Sequence, residues 1–142
     1  MSHEALTGFR AYFEALTPAT LRHLDTVYAP EAYFRDPFNE VRGIEEIQHV
    51  FEGMYEALHE PRFRIVETLL EGDRAVLVWD FTFRIKRLKP DTEQKIHGLS
   101  LVRFGLDGRV TFHRDYWDAA GELYAKLPVV GPLMRYLAKR MA

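Results

Sequence analysis

Residues 75–85 read Ala-Val-Leu-Val-Trp-Asp-Phe-Thr-Phe-Arg-Ile. Leu77, Trp79, Phe81, Phe83 and Ile85 alternate with smaller or polar residues, which is the period of a strand with one buried face. Upstream, Glu71-Gly72-Asp73 is a hairpin turn signal, and Phe63 to Leu70 supplies the preceding strand. Downstream, Lys86 to Thr92 reads as a polar loop holding Pro90, Ile96 to Phe104 as a strand, Leu106-Asp107-Gly108 as another turn, and Arg109 to Asp118 as the last long strand. The second half of the chain is therefore a set of antiparallel hairpins.

The first half has a different texture. Leu6, Phe9, Tyr12, Phe13 and Leu16 recur at helical spacing. Thr17-Pro18 stops that helix and opens another, with threonine as N-cap and proline as first helical residue. Leu21, Leu24, Val27 and Tyr28 carry the helical period on to Ala29-Pro30. Tyr33 to Phe38 reads as a short strand ended by Pro37. Gly43 then precedes a third helix, with Ile44, Ile47, Val50, Phe51, Met54 and Leu58 on one side and Pro61 at its end. Helices first and hairpins after is an α+β layout, with helices against one sheet face. We expect one domain over 1–142, with residues 122–142 a helical tail in which Leu133 to Met141 forms a short amphipathic helix.

Composition narrows the function classes. Nineteen basic and 21 acidic residues leave a net charge of −2, so there is no global field for nucleic acid. There are no cysteines, which excludes disulfides, thiolate metal sites and a cysteine nucleophile. The six histidines, at 3, 23, 49, 59, 97 and 113, form no metal-ligand pattern, and we expect neither metal nor cofactor. No glycine-rich phosphate loop or nucleophile elbow is present. No apolar run approaches the ~18 residues of a membrane span, and the N-terminus carries no secretory leader, so the expectation is a cytoplasmic protein without a transmembrane segment. Aromatics, at 13%, are numerous enough to line a cavity as well as fill a core.

Strand alternation decides which polar groups can meet. On the last strand His113, Asp115 and Trp117 share one side, and Phe112, Arg114 and Tyr116 the other. A carboxylate is costly to bury without partners, so Asp115 either works in a cavity or belongs to a structural His-Asp or Arg-Asp pair. Asp36, beside Pro37 and Phe38, is a second candidate base; its alternatives are capping a turn or pairing with Arg35 or Arg42. Tyr12 either donates its hydroxyl to a ligand or is a core aromatic with a polar tip, and Tyr28 has the same two readings. Ser100 donates either to a ligand or to a neighbour. Asp80 and Thr82 fall on the face opposite Trp79, Phe81 and Phe83. Those three residues with Phe51, Met54 and Trp117 make an apolar pocket suited to a flat or terpenoid-like ligand. The outer sheet face, carrying Phe112 and Tyr116, must be covered, and a homodimer through that face is expected.

Ala11-Tyr12-Phe13-Glu14, Val27-Tyr28-Ala29, Phe34-Arg35-Asp36-Pro37-Phe38 and Gly43, followed by Val102-Arg103-Phe104, Asp107-Gly108-Arg109-Val110 and Tyr116-Trp117, resemble the nuclear-transport-factor-2-like superfamily, and its ketosteroid isomerases in particular. The resemblance implies a cone-shaped roll, a curved antiparallel sheet wrapped around N-terminal helices. In the isomerases the tyrosine matching Tyr12 donates to the substrate oxyanion and the aspartate matching Asp36 is the base. A protonated aspartic acid stands where this chain has Ser100, so that part of the oxyanion hole is missing. His113-Arg114-Asp115-Tyr116-Trp117-Asp118 is similar to the last strand of limonene epoxide hydrolases, where the aspartate matching Asp115 activates a water. Their Arg-x-Asp would fall at Val78-Trp79-Asp80, and the arginine is absent. The expected function is thus binding of an apolar, steroid- or terpenoid-like molecule, with proton-transfer isomerisation by Asp36 or Asp115 while Tyr12, Ser100 and His113 steady the charge. The alternatives are a non-catalytic carrier or sensor, an epoxide-hydrolase-like enzyme using Asp115, and a scaffold whose pocket is filled.

Overall fold

A computed structural model describes residues 2–87, 89–122, 136, 137 and 139–141. The elements run α1 (Ser2–Glu14), a 3-10 helix (Pro18–Thr26), β1 (Tyr28–Arg35), β2 (Glu40–Arg42), α2 (Ile44–Ala57), β3 (Leu58–Glu71), β4 (Arg74–Ile85), β5 (Lys89–Phe104), β6 (Val110–Trp117) and α3 (Ala119–Glu122). Six strands form one curved, unclosed sheet in the order β2-β1-β6-β5-β4-β3. Every neighbouring pair is antiparallel except β1 with β6, which run parallel. This is the expected α+β class.

The hairpin turns fall where their glycines require. Gly72 and Gly108 have φ of 61° and 84°, the left-handed region that glycine enters without steric cost. Thr17 caps the 3-10 helix in a reciprocal capping box with Thr20, and Pro18 occupies its first turn. That helix is shorter than its apolar spacing suggests. It ends at Thr26, and β1 starts at Tyr28 and runs through Pro30, a residue expected to be a breaker. Pro30 has no N–H to place in a ladder, and the β1–β6 register is interrupted between Tyr28 and Tyr33. Likewise β5 begins at Lys89 and carries Pro90, where a loop was expected, and β3 begins at Leu58, before Pro61.

Two register shifts in β3, between His59 and Arg62 and between Ile65 and Glu67, bend the long strand. At the second, α1 grips the backbone: the Arg10 guanidinium donates to Ile65 O (3.0 Å), and Glu14 accepts from Ile65 N (3.3 Å). Leu6, Phe9 and Phe13 of α1, with Leu24 and Ile47, pack against the concave face of the sheet, where Phe34, Leu77 and Val102 are buried. Of the expected helical tail, residues 136, 137 and 139–141 are helical and exposed; the rest of 123–142 lies outside the described residues. Among the described residues no helix is long and apolar enough to cross a membrane.

Candidate active site

Between α2 and the concave sheet lies a cavity of about 560 Å³, within the size range of small-molecule sites. Trp79, Phe81 and Phe83 of β4, Phe51 and Met54 of α2, and Trp117 of β6 all line it, as the strand and helix periods required. Both candidate carboxylates, Asp36 and Asp115, line it too. Asp80 and Thr82 lie on the outer face, where Asp80 bonds His97 Nδ1 (2.7 Å) and pairs with Lys95 (3.3 Å). Asp80 therefore stands apart from the cavity that Asp115 lines.

Asp115 is the inner end of a buried polar chain. Its Oδ1 accepts from Ser100 Oγ (2.5 Å) and lies 2.6 Å from His113 Nε2. Ser100 in turn accepts from Trp79 Nε1 (2.9 Å). On the far side of the imidazole, His113 Nδ1 lies 2.6 Å from the Tyr28 hydroxyl. Burial pushes the Tyr28 phenol well above its ordinary value, and the negative charge of Asp115 adds to that, so Tyr28 keeps its proton. In the tautomer in which the Tyr28 hydroxyl donates to Nδ1, Nε2 carries the ring proton and donates to Asp115. His113 is only 3% exposed and is walled by Phe9, Phe13 and Phe34 edge-on and by Tyr28 in a stack. The ring cannot rotate without disturbing four neighbours. Among the described residues nothing bonds Asp115 Oδ2, so one oxygen is held and the other is free on a cavity-lining residue.

The other predicted residues are placed differently. Asp36 lines the cavity but also closes a turn: Oδ1 accepts from the N–H groups of Phe38 (2.8 Å) and Asn39 (2.7 Å), and the Asn39 amide reaches both oxygens (3.1 and 3.2 Å). Tyr12 does not line the cavity. Its hydroxyl donates to Thr20 O (2.7 Å), and burial raises its pKa to about 12. Tyr28, His113 and Ser100 also stand outside the main cavity; Ser100 and His113 border a void of about 20 Å³ behind Asp115, room for one water. Sequence reasoning missed Asn39, which fixes the Asp36 carboxylate, and the Trp79–Ser100 bond. Both depend on register and turn geometry.

A profile of the SnoaL-like domain matches residues 9–113. The chain belongs to the SnoaL-like family. That places it in the nuclear-transport-factor-2-like superfamily, as the resemblance implied. Solved SnoaL-like and related structures share the fold at low identity. One is a hypothetical protein with a ketosteroid-isomerase-like fold from Catenulispora acidiphila, in complex with trimethylamine (19% identity, TM-score 0.71, covering 84% of this chain and 89% of that one). Another is a candidate polyketide cyclase from Acidithiobacillus ferrooxidans (22%, 0.66, 85% and 90%). A third is a candidate hydroxylase from Streptomyces galilaeus (19%, 0.69, 99% and 90%). No curated protein matches the chain in sequence.

Proposed function

We propose that this SnoaL-like chain binds an apolar small molecule in the cavity and moves a proton on it, with Asp115 as the base. The observation that carries this reading is the half-occupied carboxylate. Oδ1 is anchored by Ser100 and His113, while Oδ2 has no partner among the described residues on a side chain that lines the cavity. Ser100 and the Tyr28–His113 pair hold the carboxylate in one orientation, which is what proton transfer needs from its supporting groups. Asp36, fixed by its turn at the same cavity, is the second acid–base group. Family relatives that include candidate isomerases and cyclases are compatible with this chemistry, which the fold alone does not give. Asp115→Asn should lower turnover of a substrate found by screening about 10²- to 10⁴-fold while leaving ligand binding detectable. Unchanged turnover in that variant would rule Asp115 out as the base.

A carrier or sensor is the second reading. Among the described residues no hydroxyl lines the cavity, because Tyr12 is committed to Thr20 and Ser100 to Asp115. A carrier needs no oxyanion donor. It would bind ligands and show no Asp115-dependent turnover.

We also propose a homodimer through the outer sheet face. Register places Leu69, Val76 and Leu101 in one outer row, ended by Arg114, and Val78, Leu99 and Tyr116 in the next, ended by Glu67, an apolar patch with a charged residue at each side. Leu69 and Tyr116 are exposed. Light scattering at micromolar concentration should give twice the 16.6 kDa chain mass; a monomer there removes the proposal.

A further inference from the structure

The parallel register pairs Arg35 of β1 with Arg114 of β6, and so carries the next residues, Asp36 and Asp115, to one level on adjacent chains. Neighbouring strands lie about 5 Å apart. Two carboxylates thus line one cavity from neighbouring segments of chain, and like charges repel. Their hydrogen bonds come from neutral N–H and O–H groups and from the imidazole of His113; among the described residues no lysine or arginine bonds either carboxylate. The neighbouring arginines alternate to the outer face: Arg35 pairs with Glu40 (3.8 Å), and the Arg114 guanidinium lies 4.6 Å from the centre of the Tyr116 ring. Among the described residues no lysine or arginine lines the cavity. The one basic side chain on its wall, His49, is largely exposed and faces Glu52 at 3.6 Å.

The rest of the wall is largely aromatic. Eight aromatic rings line it, Trp79, Trp117 and six phenylalanines, and ring faces attract cations. An inorganic cation is poorly served, because among the described residues no group of three metal-ligating side chains converges. We propose that the ligand is an apolar organic cation, an ammonium whose charge sits at Asp36 and Asp115 and whose hydrocarbon part lies on the aromatic wall. This rests on the cavity being the binding site, the reading given above, and adds the ligand's charge to it.

The test is a titration of intrinsic tryptophan fluorescence with benzyltrimethylammonium and with its uncharged carbon isostere, neopentylbenzene. The cation should bind roughly tenfold or more tightly than the isostere. The double variant Asp36→Asn with Asp115→Asn should erase that preference and leave neopentylbenzene affinity within about twofold. If the double variant fails to give a cooperative melt, Asp36→Asn alone should weaken cation binding, and added salt should weaken it in the unaltered protein. Equal or tighter binding of neopentylbenzene overturns the inference and leaves the cavity reading standing. Binding of neither probe overturns the inference and the cavity reading together.

Discussion

Tyr28 and His113 meet at 2.6 Å although 85 positions separate them in the chain. The bond fixes a buried imidazole whose other nitrogen reaches Asp115, so the phenol on β1 sets the geometry of a carboxylate on β6. Tyr28→Phe should leave Nδ1 without its partner and cost about 1–3 kcal/mol. Tyr55 supplies the contrast: its hydroxyl is buried with no partner among the described residues. Tyr55→Phe should be neutral or stabilising by up to about 1 kcal/mol. Urea midpoints of the two variants, compared with the unaltered protein, should move in these different directions; a common shift would count against both assignments.

Gly98 sits between two indoles. Its neighbours across the ladder are Trp79 on β4 and Trp117 on β6. A Cβ at this position would lie 2.7 Å from the Trp79 ring and 2.9 Å from both Trp117 Cβ and Tyr116 O. Two of those three atoms belong to strand β6 backbone or its first side-chain atom and cannot swing aside. Gly98→Ala should therefore cost about 1–3 kcal/mol and shift the emission of the chain's two tryptophans, since both rings line the cavity. A melting temperature and emission spectrum equal to those of the unaltered protein would contradict the packing described.

Alkaline stability should be limited by tyrosines. Burial raises Tyr12 from 10.0 to about 12, and raises Tyr28 and Tyr55 as well. A phenol whose folded value lies above its unfolded one favours the folded state while both forms are protonated. That contribution is complete below about pH 10 and is lost as pH climbs through about 12. Tyrosinate absorbance and far-ultraviolet circular dichroism, followed together from pH 9 upward, should show a late group of tyrosines ionising only with unfolding. Ionisation of all seven before any loss of structure would refute this.

The grip of α1 on β3 can be dissected as a pair. Arg10 and Glu14 bond each other (3.2 Å) and take the carbonyl and N–H of Ile65 beside a register shift. Both side chains are about two-fifths exposed, so solvent screens part of the gain. Arg10→Met and Glu14→Gln should each cost about 1 kcal/mol, and less than additively together, because each loss loosens the same bulge. Additive costs in a double-mutant cycle would mean that the two contacts act independently.

The long strands of the second half were legible because Leu77, Trp79, Phe81 and Phe83 alternate without interruption and two of the three hairpin turns carry a glycine, Gly72 and Gly108. The same alternation put His113, Asp115 and Trp117 on one face, and with Asp36 gave the two carboxylates of the cavity. The residues around Tyr28 were less legible. Leu21, Leu24, Val27 and Tyr28 keep a helical period, yet the 3-10 helix ends at Thr26 and Tyr28 opens a strand paired in parallel with β6. Pairing with a strand so distant in sequence overrode a local signal, which no local pattern can report. The position of Tyr12 failed to follow from its spacing for a related reason. Whether its hydroxyl reaches a ligand depends on the path of the following 3-10 helix, which offers Thr20 O instead. Ser100 read as a possible ligand donor because its neighbours were unknown; only the ladder register sets it opposite Asp115.

The parallel pairing of β1 with β6 also orders events during synthesis. When β1 leaves the ribosome, its partner on that side does not yet exist, and four further strands and a helix must be translated first. Until then Tyr28 and Phe34 lack the strand that buries them, and nascent chains hold such apolar edges at some risk of association. Arrival of β6 completes the ladder and brings in His113 and Asp115 in the same step, so the finished sheet and the assembled polar chain should emerge in refolding as one slow event.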